Sequence, residues 1–385
     1  MQNILFIGDA NSIHNLKWIE LLAENENFQI FFLPSSIIKQ EISDIYINKR
    51  LKKIIFLNPL YDFTLLRFNK FISGIFYLNK IIRKNNINLV HVSFVAPNAL
   101  WTLFIKNKKI KTVLRFYGSD LLVVIPELLN GKGFKGWYNH LLWKLFKKSF
   151  IKADAITCTS HFLKTKFIEM THRQDKVYVV RTGVNIQPQV KIPDNFLNDL
   201  PDNRKIIFSP RFMSKIYDIE LQVDAIALLP DDIIQKCCFI FINTKPTEYS
   251  EMIKRKLDKL VVEKTLIYKI LPLISQEEMF YIYRISSLVI MTPVSDGTPN
   301  SALETFVAKK PLIISDLINY DDDLFKDTCI KLKIRTPHEL ARLITETLNN
   351  YPSEMIEKAF EQVQKYGNLN LEVEKLNNIY NSLLN

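Results

Sequence analysis

The chain has 385 residues, too many for one ordinary hydrophobic core and suited to two domains. Its apolar fraction of 48% and mean hydropathy of +0.01 exclude a disordered or fibrous protein. The net charge of +11 is uneven, because residues 1–190 carry 27 Lys and Arg against 12 Asp and Glu, whereas the remainder carries 24 against 28. We therefore expect an anionic partner to meet the first half, and we expect no nucleic-acid partner.

The first residues, MQNILFIGDANS, have no basic segment and only a short apolar run before Gly8, which favours a first strand over a secretory leader. The longest apolar stretch, residues 89–105, is shorter than the roughly 20 residues of a membrane-spanning helix. The cysteines show no C-x-x-C spacing, which is typical of buried thiols in a reducing cytoplasm. They are Cys158, Cys237, Cys238 and Cys329.

Short apolar runs alternate with longer amphipathic segments along both halves of the chain. The expected strands are NILFIG, FQIFFL, KIIFL, NLVHVSF, KTVLRFYG and AITCTS, then KIIFSP, CFIFIN, TLIYKI, LVIMTP and PLIIS. This alternation predicts an α/β fold of two tandem Rossmann-like parallel-sheet domains with a cleft between them. We expect the first domain to span residues 1–186, a proline-containing linker 187–203, the second domain 204–365, and a C-terminal helix 366–385 that packs back across the domains.

Several common catalytic motifs are missing. The chain contains no G-x-G-x-x-G after its first strand, no P-loop, no H-E-x-x-H and no G-x-S-x-G, and its six histidines are scattered. These absences argue against ordinary dinucleotide binding, metal catalysis and an acyl-transfer triad. We therefore predict no metal site.

Residues 295–316, SDGTPNSALETFVAKKPLIISD, follow an apolar strand with a turn and a helix start. Thr298 is the expected N-cap and Pro299 the first helical residue. The amides of such a helix start can bind a diphosphate, and the carboxylates of Asp296 and Glu304 suit a hydroxylated ligand. A capped helix with two solvated acids explains the same spacing.

Two other strand ends carry polar residues. Arg211 and Lys215 follow the strand IIFS, where a guanidinium and an ammonium suit a diphosphate, although a surface basic pair has the same pattern. Tyr117, Gly118 and Asp120 close the strand TVLRF, and Asp120 could orient a hydroxyl group. A plain Asx turn is the alternative at Asp120.

Together these stretches resemble the family 4 retaining glycosyltransferases, which have the two-Rossmann-domain GT-B fold. Asp296 and Glu304 stand at the ends of an interval like the family's Glu-x7-Glu; SPRFMSK resembles its Gly-Arg…Lys loop, FYGSD its His-Gly-x-Asp and RTGVN its Pro-x-Gly-x-Asp turn. The chain departs from the family by having Asp296 for a glutamate, Tyr117 for a histidine, Pro210 for a glycine, and Lys310 for the glycine before the last strand.

The resemblance implies that the second domain binds a nucleotide-sugar donor. Glu304 would hold the ribose hydroxyls, Arg211 and Lys215 the diphosphate, and Asp296 a sugar hydroxyl. The other implied site residues are the donor-lining Gly297, Thr298, Pro299, Asn300 and Ser301, the acceptor-side Asn11, His14, Tyr117 and Gly118, and the catalytic Asp120.

The implied reaction is retaining glycosyl transfer, without a metal or other cofactor, to a saccharide or lipid-linked saccharide in the synthesis of bacterial surface glycans. Such glycans include polysaccharide, lipopolysaccharide and capsule. Two alternatives stay open at this stage: a non-catalytic nucleotide-sugar-binding scaffold and a sugar-nucleotide epimerase, which also uses two such domains.

A basic, aromatic helix is predicted over residues 134–152, which begin at Phe134 and end at Lys152. Basic helices with Trp and Phe can lie on anionic lipid. The sequence therefore favours a cytoplasmic protein with peripheral contact on the inner face of the membrane. An ordinary domain helix with a solvated lysine face is the alternative.

Overall fold

The computed structural model describes residues 1–35, 54–58, 68–129, 133–192 and 204–385. The chain forms two compact units, of which the first comprises Met1–Thr182 with Asn370–Asn385 and the second Gly183–Leu369. The division between the units falls four residues before the boundary predicted after residue 186. Residues 193–203 of the predicted linker lie outside the described residues.

The first unit is built on a parallel sheet with the strand order β3-β2-β1-β4-β5-β6-β7. Six of these strands were predicted, and the edge strand β7 was not. The strands are β1 (Gln2–Gly8), β2 (Phe28–Pro34), β3 (Ile54–Phe56), β4 (Leu89–Ser93), β5 (Lys111–Phe116), β6 (Ala155–Cys158) and β7 (Val177–Val179).

Helices connect these strands, as parallel pairing requires. They are α1 (Ile13–Ala23), α2 (Phe68–Lys84), α3 (Gly133–Lys152) and α4 (His161–Thr171), with shorter helical segments at Val95–Asn98, Ala99–Phe104, Asp120–Val124 and Ile125–Leu129. Ser12 and Ser160 cap α1 and α4 by accepting hydrogen bonds from backbone amides.

The two faces of the first sheet are packed differently. One face contributes residues such as Leu5, Val92 and Phe116 to a continuous apolar core. The other face carries buried polar side chains, His91 and Arg115, at positions where successive residues alternate between faces. The C-terminal helix α11 (Leu369–Leu384) joins this unit from residue 370 onward.

The second unit has a parallel sheet with the strand order β10-β9-β8-β11-β12-β13. Five of the six strands were predicted, and the edge strand β13 was not. The strands are β8 (Lys205–Phe212), β9 (Cys237–Ile242), β10 (Tyr268–Leu271), β11 (Ser286–Met291), β12 (Leu312–Ser315) and β13 (Ile330–Leu332).

Helices cover both faces of the second sheet. They are α5 (Ile219–Ala227), α6 (Glu248–Lys264), α7 (Gln276–Ile285), α8 (Asn300–Val307), α9 (Pro337–Asn349) and α10 (Ser353–Tyr366), with short segments at Lys215–Tyr217, Asp231–Gln235 and Asp322–Phe325. Consecutive strand residues enter opposite cores, Ile207 and Leu288 on one face and Phe208 and Val289 on the other. Strands buried on both faces are typical of parallel sheets.

The end of α8 differs from the prediction at one point. The residue in the left-handed conformation before β12 is Lys309, with φ of 55°, and Lys310 does not share it. The backbone position that favours glycine is therefore Lys309, so the predicted equivalence of Lys310 with the family's glycine is wrong by one residue.

No helix within the described ranges is long and apolar enough to span a membrane. All four cysteines are buried and free, as their spacing predicted.

Candidate active site

The order of both sheets reverses next to the first strand of each unit, between β1 and β4 and between β8 and β11. Ligands of open parallel sheets bind outside the carboxyl ends of the strands at such a reversal. In the second unit this point has Arg211 near the end of β8, and Asp296 and Glu304 after β11. The predicted donor residues therefore lie at the expected end of the expected strands.

Arg211 and Asp296 form an ion pair in which Nη2 lies 3.2 Å from Oδ2. The guanidinium also lies 4.0 Å from the centre of the Tyr217 ring. Both charged side chains are largely buried, with exposed fractions of 16% and 13%. A carboxylate and an aromatic face thus hold the arginine in place before any ligand binds.

The Asp296 carboxylate is incompletely satisfied. Its Oδ1 accepts a hydrogen bond from the Gly297 amide at 2.9 Å, whereas Oδ2 is buried and its contact with Arg211 lacks hydrogen-bond alignment. Burial raises the pKa of Asp296, while Arg211 and the Gly297 amide act in the opposite direction. A ligand hydroxyl could donate to Oδ2 and relieve the cost of this buried acceptor.

The helix start differs from the prediction by one residue. The N-cap position of α8 is Pro299, whose carbonyl accepts from the amides of Ala302 and Leu303, so the prediction of Thr298 as N-cap is wrong. The extended backbone of Pro299 postpones the first helical residue to Asn300. Pro299 makes no capping hydrogen bond through its side chain, and a helix start with its positive dipole end can attract an anion.

Glu304 lies one turn into α8 and is half-buried. Gln276 on α7 donates a hydrogen bond to its Oε1 at 3.3 Å. Burial raises the pKa of Tyr283 well above its usual value, and the negative charge of Glu304 raises it further, whereas Arg211 lowers it. Tyr283 is therefore within electrostatic range of both Glu304 and Arg211.

Lys215 begins the short helical segment that also contains Tyr217. Its side chain is exposed and has no ion-pair partner within the described part of the chain. It is therefore a solvent-exposed cation on the same segment as the ring that supports Arg211.

Four polar residues of this site were missed by the sequence prediction. Tyr217 supports Arg211, and Asn319 donates a hydrogen bond to the backbone carbonyl of Asp296. The hydroxyls of Tyr283 and Tyr320 are buried without an aligned hydrogen bond, and both have pKa values raised chiefly by burial. Tyr217 follows Lys215 by two residues and could have been suspected, whereas Tyr283 reads as an ordinary helix-core residue.

The predicted residues of the first unit form a different arrangement. Asp120 is fully buried and accepts hydrogen bonds from four backbone amides at 2.9 to 3.3 Å. Gly118 has φ of 127°, a conformation that favours glycine, and this bend brings the amides of Tyr117 and Gly118 onto the carboxylate. In this structure Asp120 organises its loop, so contact with a substrate remains a prediction.

The other acceptor-side residues lie near the end of β1. The amide and the side chain of Asn11 donate to Asp9 Oδ1 at 3.0 and 3.2 Å, and the Tyr117 hydroxyl donates to Asn15 Oδ1 at 3.0 Å. His14 belongs to α1, but its side chain lies outside what the structure describes. Over the described ranges, no three His, Cys, Asp or Glu residues are grouped as a metal site would require.

Comparison with protein families adds an independent result. The family model described as Glycosyltransferase Family 4 matches residues 47–188, which lie mostly in the first unit. No curated protein sequence matches the chain.

Solved structures share the fold over nearly the whole chain. A glycosyltransferase from Rickettsia africae has 17% identity and a TM-score of 0.74, covering 100% of this chain and 98% of its own. Anabaena HepE in complex with UDP has 12% identity and a TM-score of 0.74, covering 99% and 100%. Sucrose-phosphate synthase from Thermosynechococcus elongatus has 16% identity and a TM-score of 0.72, covering 100% and 99%.

At these identities the structural likeness establishes the fold, which is the predicted pair of Rossmann-like domains of GT-B glycosyltransferases. The family match covers a part of the chain that the structural comparison also includes. The predicted resemblance to family 4 is confirmed by the family model over residues 47–188.

Proposed function

We propose that the protein is a retaining glycosyltransferase that moves a sugar from a nucleoside-diphosphate sugar to a saccharide or lipid-linked saccharide. The observation that carries this proposal is the ion pair of Arg211 and Asp296 at the strand-order reversal of the second unit. The site can bind both phosphate and hydroxyl groups. The Arg211 guanidinium and the start of α8 suit phosphate, and the unsatisfied Oδ2 of Asp296 suits a hydroxyl group. That combination is the chemistry of a sugar nucleotide.

The positively and negatively charged groups of the site would contact different parts of the donor. The diphosphate would contact Arg211, Lys215 and backbone amides of the segment 297–301, in which every residue except Pro299 has an N–H to donate. The carboxylates would take hydroxyl groups, Glu304 those of the ribose and Asp296 one of the sugar. Neighbours of this fold agree with such a donor, because HepE has been solved with UDP, with UDP-glucose, and with UDP and glucose.

The transfer step requires no protein nucleophile. The bond between the anomeric carbon and the phosphate oxygen breaks while the acceptor oxygen bonds to the same face of the sugar. The leaving phosphate takes the acceptor proton. Arg211, Lys215 and the start of α8 stabilise the charge that develops on the phosphate, and they do so without a metal ion.

A donor panel tests the proposal. One of the UDP-, GDP- or ADP-sugars should release free nucleotide, and the release should accelerate with a saccharide acceptor. Nuclear magnetic resonance of the product should show the donor's anomeric configuration. Chelator should leave the rate unchanged. Interconversion of two sugar nucleotides would identify an epimerase, and tight binding without turnover a scaffold.

The proposed acceptor side is the first unit, which carries the excess of positive charge. Its helix α3 exposes a row that combines apolar and basic side chains, formed by Leu141, Lys144, Lys148, Ile151 and Lys152. Such a row can lie on an anionic membrane from its cytoplasmic side, where lipid-linked precursors of surface glycans would be reached.

Liposome flotation tests this membrane contact. The protein should float with anionic vesicles at low salt and remain in the soluble fraction with neutral ones. The double substitution Lys144→Gln and Lys148→Gln should reduce flotation, whereas Lys108→Gln with Lys109→Gln removes the same charge from exposed positions elsewhere in the unit. Equal flotation of the two double variants would remove α3 from the proposal.

A further inference from the structure

A small cavity lies at the amino-terminal edge of the sheet of the second unit. Its volume is about 210 Å³, and it is lined by the first residue of β8, Lys205, by Ser287 near the start of β11, and by Lys310 and Tyr351. Arg211 stands six residues further along β8, which corresponds to about 20 Å. The cavity is therefore separate from the candidate active site in the same unit.

The lining of this cavity contains hydrogen-bond donors and no carboxylate. Lys205 donates from Nζ to the carbonyl of Leu348 at 2.8 Å, which leaves other N–H groups of its ammonium for a ligand. Lys310 has no ion-pair partner among the residues that the structure describes, although it is half-buried. The hydroxyls of Ser287 and Tyr351 can donate as well.

Lys205 is exposed and Lys310 is half-buried, and no carboxylate lines the cavity to offset their charge. Burial lowers the pKa of Lys310, and the neighbouring Arg284 lowers it further. An anion in the cavity would lower the electrostatic cost of keeping Lys310 charged. The cavity also lies in the half of the chain that carries more acidic than basic residues, so the charge here is local.

We propose that this cavity binds a single phosphate group, either free inorganic phosphate or the phosphate of a small monoester. Two ammonium groups and two hydroxyls match an acceptor-only tetrahedral anion. The volume is below the roughly 300 Å³ at which pockets for larger ligands begin, which excludes a nucleotide. The bound phosphate neutralises Lys205 and Lys310 and thereby stabilises the second unit.

Isothermal titration of the full chain with inorganic phosphate, at constant ionic strength balanced by chloride, tests this site. The wild type should show a saturable site that chloride does not fill. Lys310→Met should weaken the site about tenfold or more, because a charge-assisted hydrogen bond is lost, and Lys310→Arg should retain it. A parallel titration with glycerol phosphate decides between free phosphate and a monoester.

Two matched variants complete the test. Lys259→Met removes an exposed lysine of α6 and should bind phosphate as the wild type does. Lys215→Met, in the candidate active site, should also leave this phosphate site intact. If phosphate binding is lost in Lys215→Met and unchanged in Lys310→Met, the ion belongs to the active site and the proposal is overturned. Phosphate binding by the wild type that is no stronger than chloride binding would overturn it equally.

Discussion

The carboxyl ends of the two sheets present the same sequence pattern, an aspartate shortly after a buried strand, with different structural results. Asp120 is completely enclosed, and four backbone amides occupy its oxygens. Asp296 keeps a small exposed fraction, and one of its oxygens has an arginine beside it but no aligned donor. The Asp120 carboxylate accepts its hydrogen bonds from the surrounding backbone. The Asp296 carboxylate still has one oxygen, Oδ2, that can accept a hydrogen bond from a ligand.

The difference arises from the backbone around each acid. At Asp120 the positive φ of Gly118 brings successive amides onto one carboxylate. At Asp296 the chain continues through Pro299, which has no N–H to donate, and among the described backbone amides only that of Gly297 donates to the carboxylate. The number of amides around an acid after a strand thus decides whether one of its oxygens can still accept a hydrogen bond.

The largest expected effect is at Arg211. Arg211→Ala should lower kcat/KM by about 1,000-fold, because it removes a charge that stabilises the leaving phosphate and leaves Asp296 buried without its partner. Arg255→Ala, an exposed arginine of α6, is the matched control and should keep wild-type activity. Steady-state kinetics with the donor found in the panel measure both; equal losses in the two variants would contradict the site.

Replacing Asp120 should mainly reduce stability, whereas replacing Asp296 should mainly reduce activity. Asp120→Ala should lower the free energy of unfolding by about 3 kcal/mol, because it leaves several buried amides without an acceptor. Asp296→Ala should cost less than about 1 kcal/mol, because only the Gly297 amide loses its acceptor, and it should impair turnover instead. Urea denaturation of both variants measures their free energies of unfolding. A larger loss of stability in Asp296→Ala than in Asp120→Ala would contradict the proposed difference between the two aspartates.

Glu304 should affect donor binding. Glu304→Gln replaces a charged acceptor of the ribose hydroxyls and should raise the donor KM by about 10- to 100-fold. Glu361→Gln, an exposed glutamate of α10, serves as its control. A donor KM that is unchanged in Glu304→Gln would remove Glu304 from the nucleotide site.

The smallest expected effect is a pH dependence of the first unit. His91 is buried, stacks on Phe6 at 4.5 Å, and its Nδ1 lies 2.6 Å from the Tyr380 hydroxyl. Burial, and then the charge of Arg115, hold the pKa of His91 well below 6.5. Above about pH 6.5 the histidine is neutral in both states, and below it only the unfolded chain takes up the proton.

Stability should therefore fall by about 1.4 kcal/mol per pH unit below about pH 6.5, until the pH reaches the lowered pKa. His91→Gln should remove this contribution from the pH slope of unfolding measured by denaturant titration. His140→Gln, at an exposed position of α3, should leave the slope unchanged. An identical slope in the wild type and His91→Gln would contradict the buried neutral state.

The sequence predicted the fold well because strands buried on both faces form conspicuous apolar runs. The two missed strands, β7 and β13, are three residues long and lie at sheet edges. The edge strand β3 is equally short and was predicted, so length and edge position do not by themselves account for the omissions. Glu304 and Arg211 were proposed as site residues from their positions near strand ends. Tyr217 and Asn319 were not, because their contacts depend on loop conformations that spacing does not encode.

The errors of one residue at Thr298 and Lys310 have a related cause. Helix preferences identify the type of residue at a terminus, but the backbone angles of Pro299 and Lys309 decide where the terminus falls. The number of backbone amides on each carboxylate, which separates Asp120 from Asp296, could not be predicted from the sequence either.

The central claim is that the carboxyl end of the second sheet binds the nucleotide of the donor. Isothermal titration of the full chain with UDP, GDP and ADP tests it most directly. We predict that one of the three binds saturably, that Arg211→Ala weakens that binding by about 100-fold, and that Arg255→Ala does not change it. Equal affinity in the wild type and Arg211→Ala, or no binding of any of the three, would contradict the account.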